Sequence, residues 1–156
     1  MKLSEDQLVV DIIKKTIPSV VSISIVKSID EEIEKKYSPL NFFHFPEGKT
    51  THKRKINIGG GSGFFVSKDG LILTNRHVVI DPNAEYTVIT SKNKRYRARV
   101  LARDEINDIA IIKIEGNGFQ PLEMGYSGNI DLGQTVLAIG NALGQFQNTV
   151  SRGVVS

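Results

Sequence analysis

The chain contains no cysteine. It can therefore build neither a disulfide framework nor a thiolate metal site. Its three histidines, His44, His52 and His77, are too scattered for a zinc cluster, so no metal is expected, and no motif calls for a nucleotide or other cofactor. No apolar run approaches the roughly 20 residues that a membrane helix needs. The opening Met1-Lys2-Leu3-Ser4-Glu5-Asp6 lacks the basic-then-apolar layout of a signal peptide. The expectation is either a cytoplasmic protein or one whose export segment has been replaced by Met1. A formal charge of +3 is mild and does not by itself point to nucleic acid.

What is present suits one domain of ordinary size: 156 residues, 40% of them hydrophobic. Ser4-Glu5-Asp6-Gln7 has the form of a capping box. Leu8, Val9, Ile12 and Ile13 follow at helical spacing, and Pro18 limits the reach, which predicts a short helix from about Glu5 to Thr16. The period then changes. Val20-Val21-Ser22-Ile23-Ser24-Ile25-Val26 alternates and is β-branched, which predicts a strand. From Ser28 to Ile58 no period is sustained. This stretch holds a charge run, an aromatic cluster (Phe42, Phe43, Phe45) and a basic patch (His52-Lys53-Arg54-Lys55), and reads as one long loop.

Beyond Gly59 the pattern is short strands divided by turns. Gly63–Val66 and Leu71–Thr74 flank Asp69-Gly70, a strong hairpin signal. Tyr86–Thr90 and Arg95–Leu101 flank Lys92-Asn93-Lys94. Ile109–Ile114 is nearly all apolar and should be buried on both faces. Thr135–Ile139 and Thr149–Val155 complete the set. Many short, closely spaced strands predict an all-β sandwich or barrel.

Two residues at strand ends have the chemistry of a proton-transfer pair. His77 lies just past one strand, in Thr74-Asn75-Arg76-His77-Val78-Val79. Asp108 lies just before another, in Asn107-Asp108-Ile109-Ala110. A histidine takes a proton from a hydroxyl only when its tautomer is fixed, and a carboxylate on its other ring nitrogen fixes it. Taken singly, each residue has a simpler reading, as a structural histidine and a turn aspartate.

Their setting resembles a known family. Gly61-Ser62-Gly63-Phe64, the run Asp69 to Val79, the run Asn107 to Ile114, the run Gly133 to Gly144 and the run Thr149 to Ser156 are similar to blocks of the HtrA (Deg) family of trypsin-like serine proteases, in that family's order and near its spacing. Ile17 to Ile23 is similar too. The resemblance covers most of the chain except the stretch from about Ser28 to Ile58. It implies a trypsin-like double β-barrel. Residues 1–18 would be the helix and lead-in, and 19–115 a complete first barrel. Residues 116–156 would be the linker and opening strands of a truncated second barrel. It implies His77 as general base and Asp108 as its orienting group. The implied function is endoproteolysis of exposed segments in unfolded or misfolded polypeptides, in the periplasm or cell envelope. The implied assembly is a homo-oligomer, often a trimer in the family, and a PDZ domain often follows.

The sequence also departs from that family. The Gly-Asn-Ser-Gly-Gly motif that carries the nucleophile does not occur, and in the order His, Asp, Ser it would lie beyond Ser156. Ser62, in a glycine-rich strand entry, and Ser127, in a turn, are poor substitutes. The chain alone is thus expected to be inactive. The rival reading is a non-enzymatic interaction module, a degenerate protease or a fragment. Gly140-Asn141 and Gly144 read first as turn residues and, by the resemblance, as a loop flanking the active site. Lys92, Lys94, Arg95, Arg97 and Arg99 read as a solvated strand face rather than a nucleic-acid surface. The three phenylalanines of the long loop need another surface to pack on, which by the resemblance can be a neighbouring subunit.

Overall fold

The computed structural model describes residues 4–30, 53–140 and 149–156. Helix α1 (Glu5–Thr16) begins where Ser4 Oγ accepts from the Gln7 N–H at 3.2 Å, with Glu5 and Asp6 against the positive helix end. The box is half made: Gln7 Nε2 reaches forward to Asp11 Oδ1 at 2.9 Å rather than back to Ser4. Pro18 cannot extend the helical ladder, so the chain tightens into a 3-10 turn, Ile17–Ser19, and leaves as a strand. No residue of α1 is buried, and among the described residues no helix is long and apolar enough to cross a membrane.

Among the described residues eight strands follow: β1 (Val20–Asp30), β2 (Lys53–Phe65), β3 (Leu71–Asn75), β4 (Glu85–Thr90), β5 (Arg95–Asp104), β6 (Ile109–Ile114), β7 (Thr135–Gly140) and β8 (Thr149–Val154). The first six close into an antiparallel barrel in the order β1-β2-β3-β6-β5-β4, and β7 pairs with β8 in a separate sheet. Closure leaves each barrel strand one inner face. Val21 and Ile23 of β1, Phe65, Ile72, Tyr86 and Val88, Ala98, and Ala110, Ile112 and Ile114 fill it. The fold is all-β with one short N-terminal helix, as the strand pattern predicts.

Two features differ from the sequence-based expectation. β6 is not buried on both faces. Ala110, Ile112 and Ile114 point inward, whereas Ile109 is 40% exposed and Ile111 half-buried. A closed barrel gives a strand only one interior, and the outer apolar face of Ile109 borders a cleft instead. The long loop is also shorter than its composition suggests. β1 and β2 stay paired out to Asp30↔Lys53, past a register shift at Ile25/Val26. This outer ribbon has no core to face; its main-chain pairing is joined by side-chain bonds, Asn57 Nδ2 to Ser24 Oγ at 3.2 Å and Lys55 Nζ to Glu85 Oε2 at 2.8 Å. The phenylalanines Phe42, Phe43 and Phe45, with His44 and His52, lie outside the described residues, as do Asn141 and Gly144.

The β2–β3 turn needs its glycine. Gly70 has φ +97°, and a Cβ there would sit 2.6 Å from the Ile114 carbonyl oxygen. After β6 the chain folds back across one end of the barrel. Phe119 stacks on Phe65 with ring centroids 4.5 Å apart and meets Tyr96 edge-on at 5.6 Å. The Phe119 N–H donates to the Lys68 carbonyl at 3.1 Å and the Leu122 N–H to the Phe65 carbonyl at 2.8 Å, which ties this connection to the barrel.

Candidate active site

β3 ends at Asn75, and the next four residues form a 3-10 turn, Arg76–Val79. The pattern of this turn is its function in the fold: Val78 and Val79 drop into the core and anchor it, while His77 stays at the surface with its side chain 68% exposed. Glycine makes the anchorage possible, since Val78 packs where a Cβ on Gly61 would lie, 2.5 Å from Val78 Cγ2.

Asp108 comes from the neighbouring strand. β3 and β6 pair antiparallel with Asn75 opposite Ile109, so the residue after one strand and the residue before the other meet at the same barrel rim. The turn leading to Asp108 is held by Asp104. Its carboxylate accepts from the N–H groups of Ile106 and Asn107 at 2.9 and 3.2 Å and from Asn107 Nδ2 at 2.7 Å. These donors hold the Asp104 carboxyl below its ordinary range, the Asn107 amide foremost. Asp108 itself has φ +54°, a left-handed conformation that few residues other than glycine adopt and that aspartate and asparagine tolerate best.

Three consecutive residues hold Asp108. The Arg76 N–H donates to its main-chain carbonyl at 3.0 Å. The His77 N–H donates to Oδ1 at 2.9 Å, and His77 Nδ1 lies 2.7 Å from Oδ2. Asn75 Nδ2 reaches both the carbonyl oxygen and Oδ2 at 3.3 Å. The Asp108 carboxyl is held below the usual carboxylate range, first by the bond from the His77 ring, then by the His77 N–H, with partial burial opposing and the charge of His77 and the Asn75 amide assisting. An ionised carboxylate offers only lone pairs, so the ring nitrogen facing it carries the proton. In the neutral ring that leaves the lone pair on Nε2, the nitrogen that can accept a proton.

His77 and Asp108, singled out from their strand-end positions, are thus in direct contact. Ser62 sits on β2, where its carbonyl accepts from Thr74 Oγ1 at 2.7 Å, and Ser127 starts a 3-10 turn, Ser127–Asn129. Arg95, Arg97 and Arg99 point outward from β5 as expected, and Arg99 pairs with Glu115 at 2.8 Å. No group of three or more histidine, cysteine or acidic side chains among the described residues converges on a point that could hold a metal.

A cleft of about 420 Å³ adjoins the pair, between the barrel and β7, and is lined among others by Val20, Phe64, Asn75, Ile109, Leu137 and Ile139. Asn75 and Ile109 belong to both places, as chain neighbours of the pair and as walls of the cleft. Sequence reasoning missed Asn75 and the main-chain donor of Arg76. The only available sign was an amide side chain at a strand end two residues before the histidine.

The chain is similar in sequence to known proteins. The trypsin-like peptidase domain family matches residues 61–156. A probable periplasmic serine endoprotease DegP-like of Hahella chejuensis (strain KCTC 2396) is 35% identical over 155 residues, which is 93% of this chain and 32% of that protein. Serine protease HTRA1 of Xenopus tropicalis is 38% identical over 149 residues, 95% of this chain and 28% of that protein. A probable periplasmic serine endoprotease DegP-like of Pseudomonas fulva (strain 12-X) is 43% identical over 96 residues, 62% of this chain and 20% of that protein. The chain therefore spans 20% to 32% of the length of these relatives.

Proposed function

The chain belongs to the trypsin-like peptidase domain family, and on that premise we propose that it supplies the general base and the orienting carboxylate of an HtrA-type serine endopeptidase. The observation that carries this reading is the 2.7 Å contact of His77 Nδ1 with Asp108, which leaves Nε2 free. In the reaction, His77 Nε2 takes the proton of a seryl hydroxyl as its oxygen bonds to the scissile carbonyl carbon. The imidazolium, steadied by Asp108, then gives that proton to the departing amine as the C–N bond breaks. Water, deprotonated by the same nitrogen, releases the acyl group and restores the serine.

The nucleophile belongs outside these 156 residues, because no serine here stands in a Gly-Asn-Ser-Gly-Gly sequence. The 156-residue chain by itself is accordingly inactive: histidine and aspartate without nucleophile or oxyanion hole lack the main sources of acceleration. Substrates are exposed segments of unfolded or misfolded polypeptides, and the protein works in the periplasm or cell envelope as an assembly of identical subunits. The names of the DegP-like relatives support the compartment. The test is casein cleavage by the protein expressed from its complete gene, beside its His77→Ala variant. Cleavage lost in the variant is the expected result. No cleavage by either protein would favour the second reading, a non-enzymatic interaction module, which the missing motif supports. Cleavage by the 156-residue chain alone, abolished by His77→Ala, would place the nucleophile within it.

A further inference from the structure

We infer that Asn75 is a positioning residue for the His77–Asp108 pair: its amide holds the Asp108 carboxylate and main chain together in the orientation that fixes the histidine tautomer. This rests on the reading of His77 and Asp108 given above.

Asn75 occupies the N-cap position of the Arg76–Val79 turn, with extended φ and ψ of −77° and 144°. An asparagine there ordinarily turns its side-chain oxygen to the N–H groups that follow. Asn75 makes no capping bond. Its amide nitrogen points across to β6 instead and reaches two atoms of one residue, the carbonyl oxygen and Oδ2 of Asp108, each at 3.3 Å. Oδ2 is the same oxygen that meets His77 Nδ1.

The geometry gives the amide work to do. Asp108 has a left-handed backbone, so its carbonyl and its side chain must both be tethered to keep it there. The Arg76 N–H ties the carbonyl and the His77 N–H ties Oδ1; among the described residues, only the Asn75 amide bridges carbonyl and carboxylate. Oδ2 would otherwise be held by the exposed His77 ring alone, and an exposed ring competes with water for its partner. Asn75 also lines the neighbouring cleft.

The test reads the tautomer directly. Nitrogen-15 shifts of the His77 ring in the 156-residue chain at alkaline pH report the ratio of Nδ1–H to Nε2–H forms, with His77 assigned by the signal lost in His77→Gln. The wild type should be almost wholly Nδ1–H. Asn75→Ala, and Asn75→Leu, which keeps the shape without the donors, should each lower the ratio by about threefold, the effect of one long, exposed hydrogen bond. The two variants guard against a packing artefact, since only the loss of donors is common to both. A wild-type ring with the mixed tautomers of free histidine would sink the underlying assignment of the pair. A pure Nδ1–H wild type with both variants unchanged would sink the role of Asn75 alone.

Discussion

One carboxylate, that of Asp108, receives both the main-chain N–H and the ring Nδ1 of His77, at 2.9 and 2.7 Å. The two bonds fix the histidine at its backbone and at its ring, so the ring can neither rotate away nor exchange tautomers without breaking the second. The arrangement depends on β3 and β6 being neighbours, which are separated in sequence by two further strands.

Asp108→Asn should preserve the fold, because asparagine tolerates the φ of +54° as well as aspartate does. It should still disable proton transfer. The carboxylate serves two His77 groups with one oxygen each, whereas the amide offers a single acceptor oxygen and no charge; when that oxygen takes the main-chain N–H, the NH2 faces Nδ1 and favours the wrong tautomer. Turnover of casein by the full-length protein should fall by about 10⁴. A well-folded variant with turnover near that of the wild type would remove Asp108 from the mechanism.

Gly61→Ala should destabilise the barrel by about 1–3 kcal/mol, the usual range for overpacking. The added methyl would stand 2.5 and 2.7 Å from the two γ-carbons of Val78, which is itself buried. Relief requires the Arg76–Val79 turn to move, and His77 moves with it. Urea unfolding should show the stability loss, and the His77 ring signals should shift although residue 61 does not touch the ring. Unaltered unfolding would mean that the barrel wall is softer than its packing indicates.

How much of this was legible in sequence follows from which forces leave a local mark. The helix, the β2–β3 and β4–β5 hairpins and the strand run of β6 follow from period, turn residues and capping, which act over a few positions. His77 and Asp108 were legible as strand-end residues in family-like runs. Their contact was not, because the β3–β6 pairing is non-local and no spacing encodes it. The outward face of Ile109 was misjudged for the same reason, since only barrel closure decides which side of β6 is inside. The β1–β2 pairing beyond Val26 left no trace, as main-chain hydrogen bonds are indifferent to side-chain pattern. Asn75 carried no sign of its bonds to Asp108, because they too depend on the β3–β6 pairing.

Phe119→Ala should cost about 2–3 kcal/mol, at or below the bottom of the range for a buried phenylalanine because the ring is only partly buried. The ring lies between Phe65 and Tyr96, and its loss opens one end of the barrel core. The backbone bonds of Phe119 and Leu122 to the barrel remain available, so the connection should stay attached. Thermal unfolding measures the loss. An unchanged midpoint would show that the stack forms at no net gain.

Acid should weaken the fold partly through Asp69. Lys113, and then the hydroxyl of Ser67, hold its carboxyl at about 2, against an ordinary value of 3.8. The folded value lies below the unfolded one, so the contribution is complete above about pH 4 and fades as the pH falls toward 2. Asp69→Asn should flatten the fall of the urea midpoint across that window without abolishing it, because Asp81, Glu85, Asp104 and Asp108 are also held below their ordinary values. A variant that tracks the wild type in parallel from pH 5 to pH 2 would show that Asp69 is not linked to folding.

β7 and β8 should open far more readily than the barrel. A two-stranded antiparallel pair is marginal in water when nothing else covers it. This pair has Val136 41% and Val154 61% exposed, while Leu137 and Ile139 face the cleft beside Phe64. One face is thus partly supported and the other is open to water. The six barrel strands, by contrast, close on themselves and enclose a core in which Val21, Ile72, Val79, Val88, Ile112 and Ile114 have no exposure at all. Stability is not uniform in such a molecule, and amide exchange resolves its parts. In the dilute 156-residue chain, amides of β3 and β6 should exchange only through global unfolding, and those of β7 and β8 orders of magnitude faster. Among the described residues the outer edges of β7 and β8 pair with no further strand, and such edges can take up a strand from another copy. Protection in β7 and β8 should therefore rise with protein concentration while that of β6 stays constant, and light scattering should show association over the same range. Exchange in β7 and β8 as slow as in β6, and independent of concentration, would mean that the cleft contacts of Leu137 and Ile139 alone suffice to hold the pair.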